Sequence, residues 1–161
     1  MTRLLAAGVA AGVVLVGVCG TPKAAESAAA TIGGLTLRYD NSQWRMSHSG
    51  DGTEIRCVGE SCEELAAEIV TGPDPGVPCD ELLQQDSGLE PDVIHDRRPG
   101  LDVLIVLPDL GCRNLAASPV FACARHGGRL YLFTGGEHLD CRVPRGATDR
   151  LIELVRGLEA P

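Results

Sequence analysis

Val120 to Phe133 reads Val-Phe-Ala-Cys-Ala-Arg-His-Gly-Gly-Arg-Leu-Tyr-Leu-Phe, two apolar runs on either side of Gly127-Gly128. Paired glycines supply the positive φ angles that a two-residue hairpin turn requires. A turn confined to Gly127-Gly128 sets Cys123 opposite Leu132 and Ala124 opposite Tyr131. The heart of the chain is therefore antiparallel β-structure, and its neighbours extend the pattern.

On the N-terminal side, Leu101 to Leu107 is almost wholly apolar, as an interior strand is, with Asp102, Leu104 and Val106 on one face and Val103, Ile105 and Leu107 on the other. Arg98-Pro99-Gly100 is a turn signal joining it to Pro91–Asp96. Further back, Leu35–Tyr39, Trp44–His48 and Thr53–Val58 alternate with period two, separated by Asp40-Asn41-Ser42 and Ser49-Gly50-Asp51-Gly52. They read as a meander. Ser61 with Glu64 forms a capping-box pattern that predicts a short helix with Leu65, Ala66, Ile69 and Val70 on its apolar face, although Ala66 to Thr71 also suits a strand. Cys79 to Gln85 predicts one or two helical turns. On the C-terminal side Leu151, Leu154, Val155 and Leu158 fall at i, i+3, i+4 and i+7, an amphipathic helix that Thr148 would cap. The expectation is one α+β domain over 31–161: a single antiparallel sheet of six or seven strands, with the C-terminal helix and one or two short helices packed on it. Its core should contain Leu37, Trp44, Ile55, Ile105, Phe121, Tyr131, Phe133, Leu151 and Val155.

Residues 1–30 read as a leader. Arg3 precedes a run from Leu4 to Gly20 that carries no charge, the mark of an export signal. Cleavage is expected after Gly20 or after Ala30, where Ala28-Ala29-Ala30 gives the A-x-A pattern, and Lys23 to Ala30 is a spacer. Val16-Gly17-Val18-Cys19 resembles a bacterial lipobox that departs from the pattern at Val18, which opens lipidation at Cys19. Contact with a membrane would run only through this segment or that lipid.

Seven cysteines include Cys19 in the leader. The other six, Cys57, Cys62, Cys79, Cys112, Cys123 and Cys141, are an even set in an exported chain and point to three disulfides rather than to metal or redox chemistry, since no C-x-x-C occurs. Spacing does not settle the connectivity; the pairing expected is Cys57–Cys62, Cys79–Cys112 and Cys123–Cys141.

The chain carries a formal net charge of −8, which disfavours nucleic acid as a partner. Lys23 is the only lysine among 14 basic residues, so a mature chain would have none for a P-loop, a Schiff base or a Ser-Lys dyad. The histidines, His48, His95, His126 and His138, stand in no paired metal motif, and Met46 with His48 is a thin basis for copper. Ser47, His48, Ser49 and Asp51 have hydrolase-type side chains but crowd into one turn, whereas triads join distant segments. No motif calls for a cofactor. Charge segregation is the clearest signal: Asp51 to Asp96 holds thirteen acids against Arg56 alone, a net −12 over 46 residues. Glu60, Glu63, Glu64, Glu68, Asp74, Asp80 and Glu81 would face a basic partner, since such a field steers association.

The strand, polar turn, Trp and second strand over Leu35–Met46, and the hairpin with terminal helix over Val120–Leu158, resemble the PsbP-like family of exported α+β domains. The resemblance implies a non-catalytic accessory or assembly factor. The reading is thus an exported binding module of the bacterial envelope whose partner is another envelope protein. A small exported hydrolase or metal-binding protein, and a structural lipoprotein anchored at Cys19, are the alternatives.

Overall fold

Alternation of inward and outward side chains governs most of this chain, and it builds two sheets rather than one. The computed structural model describes residues 27–50, 52–59, 65–83, 91–108, 118–136 and 146–161. The strands are β1 (Ser27–Ile32), β2 (Leu35–Asp40), β3 (Trp44–Ser49), β4 (Gly52–Cys57), β5 (Ala66–Pro73), β6 (Asp92–Arg98), β7 (Leu101–Leu107), β8 (Phe121–His126), β9 (Arg129–Gly135) and β10 (Leu158–Glu159). Two helices, α1 (Cys79–Leu83) and α2 (Ala147–Arg156), complete the described elements.

The large sheet has seven strands in the order β3-β4-β5-β9-β8-β7-β6, and the small one has three in the order β1-β2-β10. All named pairings are antiparallel. This overturns the expected single-sheet α+β domain: the protein is mostly β, with β2 drawn out of the meander. The cause is pairing competition. β2 is flanked by β1 on one side and by β10 on the other, so β3 has no place beside it. β1 itself includes Ser27 to Ala30, which composition alone assigns to a spacer.

The segment over Ala66–Thr71 is strand, not helix. Ala67 and Ile69 point into the core while Glu68 and Val70 are exposed, a period of two. β5 fills the central slot between β4 and β9, and that tertiary demand overrides local helix propensity. Ser61 and Glu64 lie outside the described residues. The β8–β9 hairpin has the expected register, with Cys123 facing Leu132 and Ala124 facing Tyr131 across the turn. The β6–β7 turn also falls at Pro99-Gly100, with Arg98 opposite Leu101.

The core lies between the inner face of the large sheet, the small sheet and α2. Leu37, Trp44, Ile55, Ile105, Tyr131, Phe133, Leu151 and Val155 are all buried in it. Phe121 is only half-buried, because it sits on the outer face with Cys123. Leu151 of α2 seats over Gly135, where a Cβ would come within 2.7 Å of its Cδ1. Thr148 lies within α2 and does not cap it; Gly146 is the N-cap, in a left-handed conformation with φ 73°. At the other end Arg98 Nη1 donates to the carbonyl oxygens of Arg156 and Leu158, each at 2.6 Å. This draws the α2 C-terminus and β10 against the β6–β7 turn.

The Cys79–Cys123 disulfide joins α1 to β8, with Cα atoms 5.7 Å apart. It replaces the expected Cys79–Cys112 and Cys123–Cys141 pairs. The reason is spatial: Cys123 points away from the core, onto the face that α1 crosses. Cys57 is also disulfide-bonded. Cys19, Cys62, Cys112 and Cys141 lie outside the described residues.

Candidate functional site

The outer face of the large sheet changes character across its width. Over β3 to β5 it carries Arg45, Ser47, Glu54, Arg56 and Glu68. Over β6 to β9 it turns apolar, with Val93, Leu104, Val106, Phe121 and Leu132. Leu104 and Val106 are buried although they lie outside the main core. A sheet apolar on both faces needs cover on both, and α1 provides part of it.

The path to α1 is pinned. Asp74 N–H donates to the Gly128 carbonyl at 3.0 Å, its carboxylate accepts from Gly76 N–H at 2.9 Å, and it pairs with Arg125 at 3.1 Å. The disulfide to Cys123 then holds α1 down. Between α1 and the β6–β7 face an open groove of about 610 Å³ remains. Val93, Leu104 and Val106 form its floor, and Pro78, Leu83 and Pro91 its wall. Val93 is 48% exposed there. Such an exposed aliphatic next to two buried ones marks a surface suited to an apolar side chain.

Charges bound the groove at both ends. His95, Arg97, Asp102 and Arg125 close one end, and Asp80 stands at the lip. Arg97 and Asp102 are 3.7 Å apart and well exposed, a contact that contributes little in solvent. Arg125 Nη2 has no hydrogen-bond acceptor among the described residues, so a carbonyl or carboxylate of a docked segment would find a donor there.

Of the acidic residues singled out by sequence, those among the described residues separate in space. Glu68 is exposed on β5, directly across from Glu54, whose carboxylate is held below the usual range by the hydrogen bond and charge of Arg56. Asp74 is committed to Arg125 and the Gly76 amide. Asp80 and Glu81 are exposed in the first turn of α1. Glu60, Glu63 and Glu64 lie outside the described residues. Among the described residues the acidic stretch meets the groove through Asp80 at the start of α1.

Among the described residues the hydrolase-type side chains do not converge. Ser47 and His48 are neighbours on one strand and point to opposite faces; Ser47 Oγ lies 3.4 Å from Glu54, and His48 Nδ1 lies 2.9 Å from Thr53 Oγ1. His126 Nδ1 contacts the Gly100 carbonyl at 3.2 Å, and His95 is at the groove. Asp51 and His138 lie outside the described residues. Among the described residues no three His, Cys, Asp or Glu side chains stand close enough to share a metal ion.

Sequence reasoning missed the groove as a unit. Its signal was present in β7, whose two apolar faces implied a second covering element. No protein-family model matches the chain, and no curated protein matches it.

Proposed function

We propose that this protein is an exported, non-catalytic binding module of the bacterial envelope, and that it docks a basic segment of another envelope protein in the groove beneath α1. The observation that carries this reading is the groove itself: an apolar floor with an exposed Val93 and the Asp80 carboxylate at its lip, with Glu81 exposed next to Asp80 on α1. An apolar side chain of the partner fills the floor, and a flanking Arg or Lys meets the acidic lip. The −12 charge of the 51–96 stretch adds long-range steering. The disulfide fits an oxidising, exported compartment. No described helix is long and apolar enough to cross a membrane, and the leader is the expected route of export. The outline resemblance to PsbP-like accessory domains points the same way.

Two exposed valines provide a matched test. Val93 is 48% exposed in the groove and Val58 is 50% exposed after β4, away from it. A photo-crosslinking residue at each position is introduced into the full chain in its native envelope. The reading expects a discrete adduct with a basic envelope protein from Val93 and none from Val58. The changes Asp80→Asn and Glu81→Gln together should weaken that adduct and flatten the salt dependence of the partner's association rate. Equal labelling from both valines, or an adduct indifferent to the charge changes, would overturn it.

A further inference from the structure

The leader has two candidate processing points, and only one leaves the small sheet intact. β1 pairs with β2 along its whole length, from Ser27 opposite Asp40 to Ile32 opposite Leu35. Ile32 is buried, and Ala28 and Ala30 are half-buried. The turn between the strands is Gly33-Gly34, with φ 59° and 111°, angles that favour glycine. Tyr131 Oη donates to the Gly33 carbonyl at 2.6 Å and so ties this turn to the large sheet. The anchored turn and the strand that precedes it form one hairpin docked on the large sheet.

Cleavage after Ala30 would remove four of the six β1 residues and the partners of Asp40, Tyr39, Arg38 and Leu37. The other neighbour of β2 is β10, which has only two residues. β2 would be left with a long unpaired edge. Spacing argues the same way. The apolar run of the leader ends at Gly20, ten residues before Ala30. A leader's small-residue cleavage site follows its apolar run, and Ala30 lies well beyond that run's end.

We infer that the leader is removed on the N-terminal side of Ser27, by hydrolysis after Gly20 or before Cys19, and that Ala28-Ala29-Ala30 is strand rather than a processing site. In either case water adds across one peptide bond and the released chain keeps β1 whole. The inference rests on the export reading above.

Full-length chain is expressed in an exporting bacterium, and the N-terminus and intact mass of the envelope and secreted fractions are measured. A chain beginning at Thr21, or at a Cys19 that carries the added mass of a lipid, supports the inference. The variant Ala30→Val sharpens it, because Val suits a strand but not the residue before a leader cleavage. It should give the same N-terminus at the same yield. A chain beginning at Thr31, or processing blocked by Ala30→Val, overturns the inference and leaves export standing, as does an exported chain that retains its leader. A chain with an intact N-terminus found only in the cytoplasm defeats the export reading and the inference with it.

Discussion

The chain contains two Gly-Gly hairpins, and they are built differently. Gly127-Gly128 joins β8 to β9 in open space: a Cβ on either glycine would meet nothing within 4 Å. Gly33-Gly34 joins β1 to β2 against other structure: a Cβ on Gly33 would lie 3.1 Å from Tyr131 Cε1 and 3.3 Å from Thr71 Cγ2. The first needs glycine for its backbone angles alone. The second needs it for angles and for room. The strands differ too. β8–β9 is flanked by β5 and β7 and stapled through Cys123, whereas β1–β2 is held by the Tyr131 hydroxyl, by β10 and by the burial of Ile32. One hairpin is the scaffold and the other is docked on it.

The largest effects should fall on the scaffold hairpin. Phe133→Ala empties a fully enclosed site in β9 and should cost about 3–5 kcal/mol in denaturant unfolding, with both sheets lost together. Next is the staple. Replacing Cys79 and Cys123 together by Ala opens a link across 44 residues of sequence and should cost about 2–4 kcal/mol. The hairpin register should survive, because strand pairing rather than the disulfide sets it. Loss of the β8–β9 amide protection in the folded state would contradict that.

Smaller effects separate the docked hairpin from the scaffold. Tyr131→Phe removes one donor and leaves the Gly33 carbonyl unpaired, at a cost of about 1–2 kcal/mol. Hydrogen exchange should quicken in β1 and β2 and stay unchanged in β8 and β9. Asn tolerates left-handed backbone, so Gly127→Asn should change stability by less than about 0.5 kcal/mol, and Gly33→Asn by about 1 kcal/mol or more, since its Cβ presses on Tyr131. Equal costs would mean that the two turns are equivalent after all.

The smallest effect is a titration at the far end of the docked hairpin. The Asp40 carboxylate accepts from Ser42 Oγ at 2.6 Å and from Ser42 N–H at 2.8 Å, and these bonds hold its pKa below the usual Asp value. Because the folded pKa is lowered, the turn gains stability above the unfolded Asp pKa and loses it as pH falls through the folded value. An NMR titration should place Asp40 below an unfolded Asp, and Ser42→Ala should move it back up.

The two hairpins also show what sequence reasoning can reach. Gly127-Gly128 was legible because apolar, β-favouring residues stand on both sides of it, so turn and strands reinforce each other. Gly33-Gly34 was not, because Ser27 to Ala30 is small-residue sequence whose composition fits a tether as well as a strand. The groove followed the same division. The two apolar faces of β7 signalled a second cover, but the identity of that cover depended on where Cys79 lands after a Pro-rich loop. The acidic run was visible as a count, while its distribution was not: among the described residues Asp74 is taken by Arg125, and Asp80 stands at the groove.

By itself the sequence determined what is local: the strand periods, the β6–β7 turn, the β8–β9 turn with its register, the amphipathic face of α2, and a cysteine complement suited to an oxidising compartment. Periodicity and glycine angles act over a few residues and can be read there. Only the tertiary structure decided that β2 leaves the large sheet to join β1 and β10, that Ala66–Pro73 is a strand, and that Cys79 meets Cys123. Each of these is a choice among partners far apart in the chain. Such a choice is settled by which arrangement buries the most apolar surface while pairing the interior strands on both edges, a quantity that no local stretch contains.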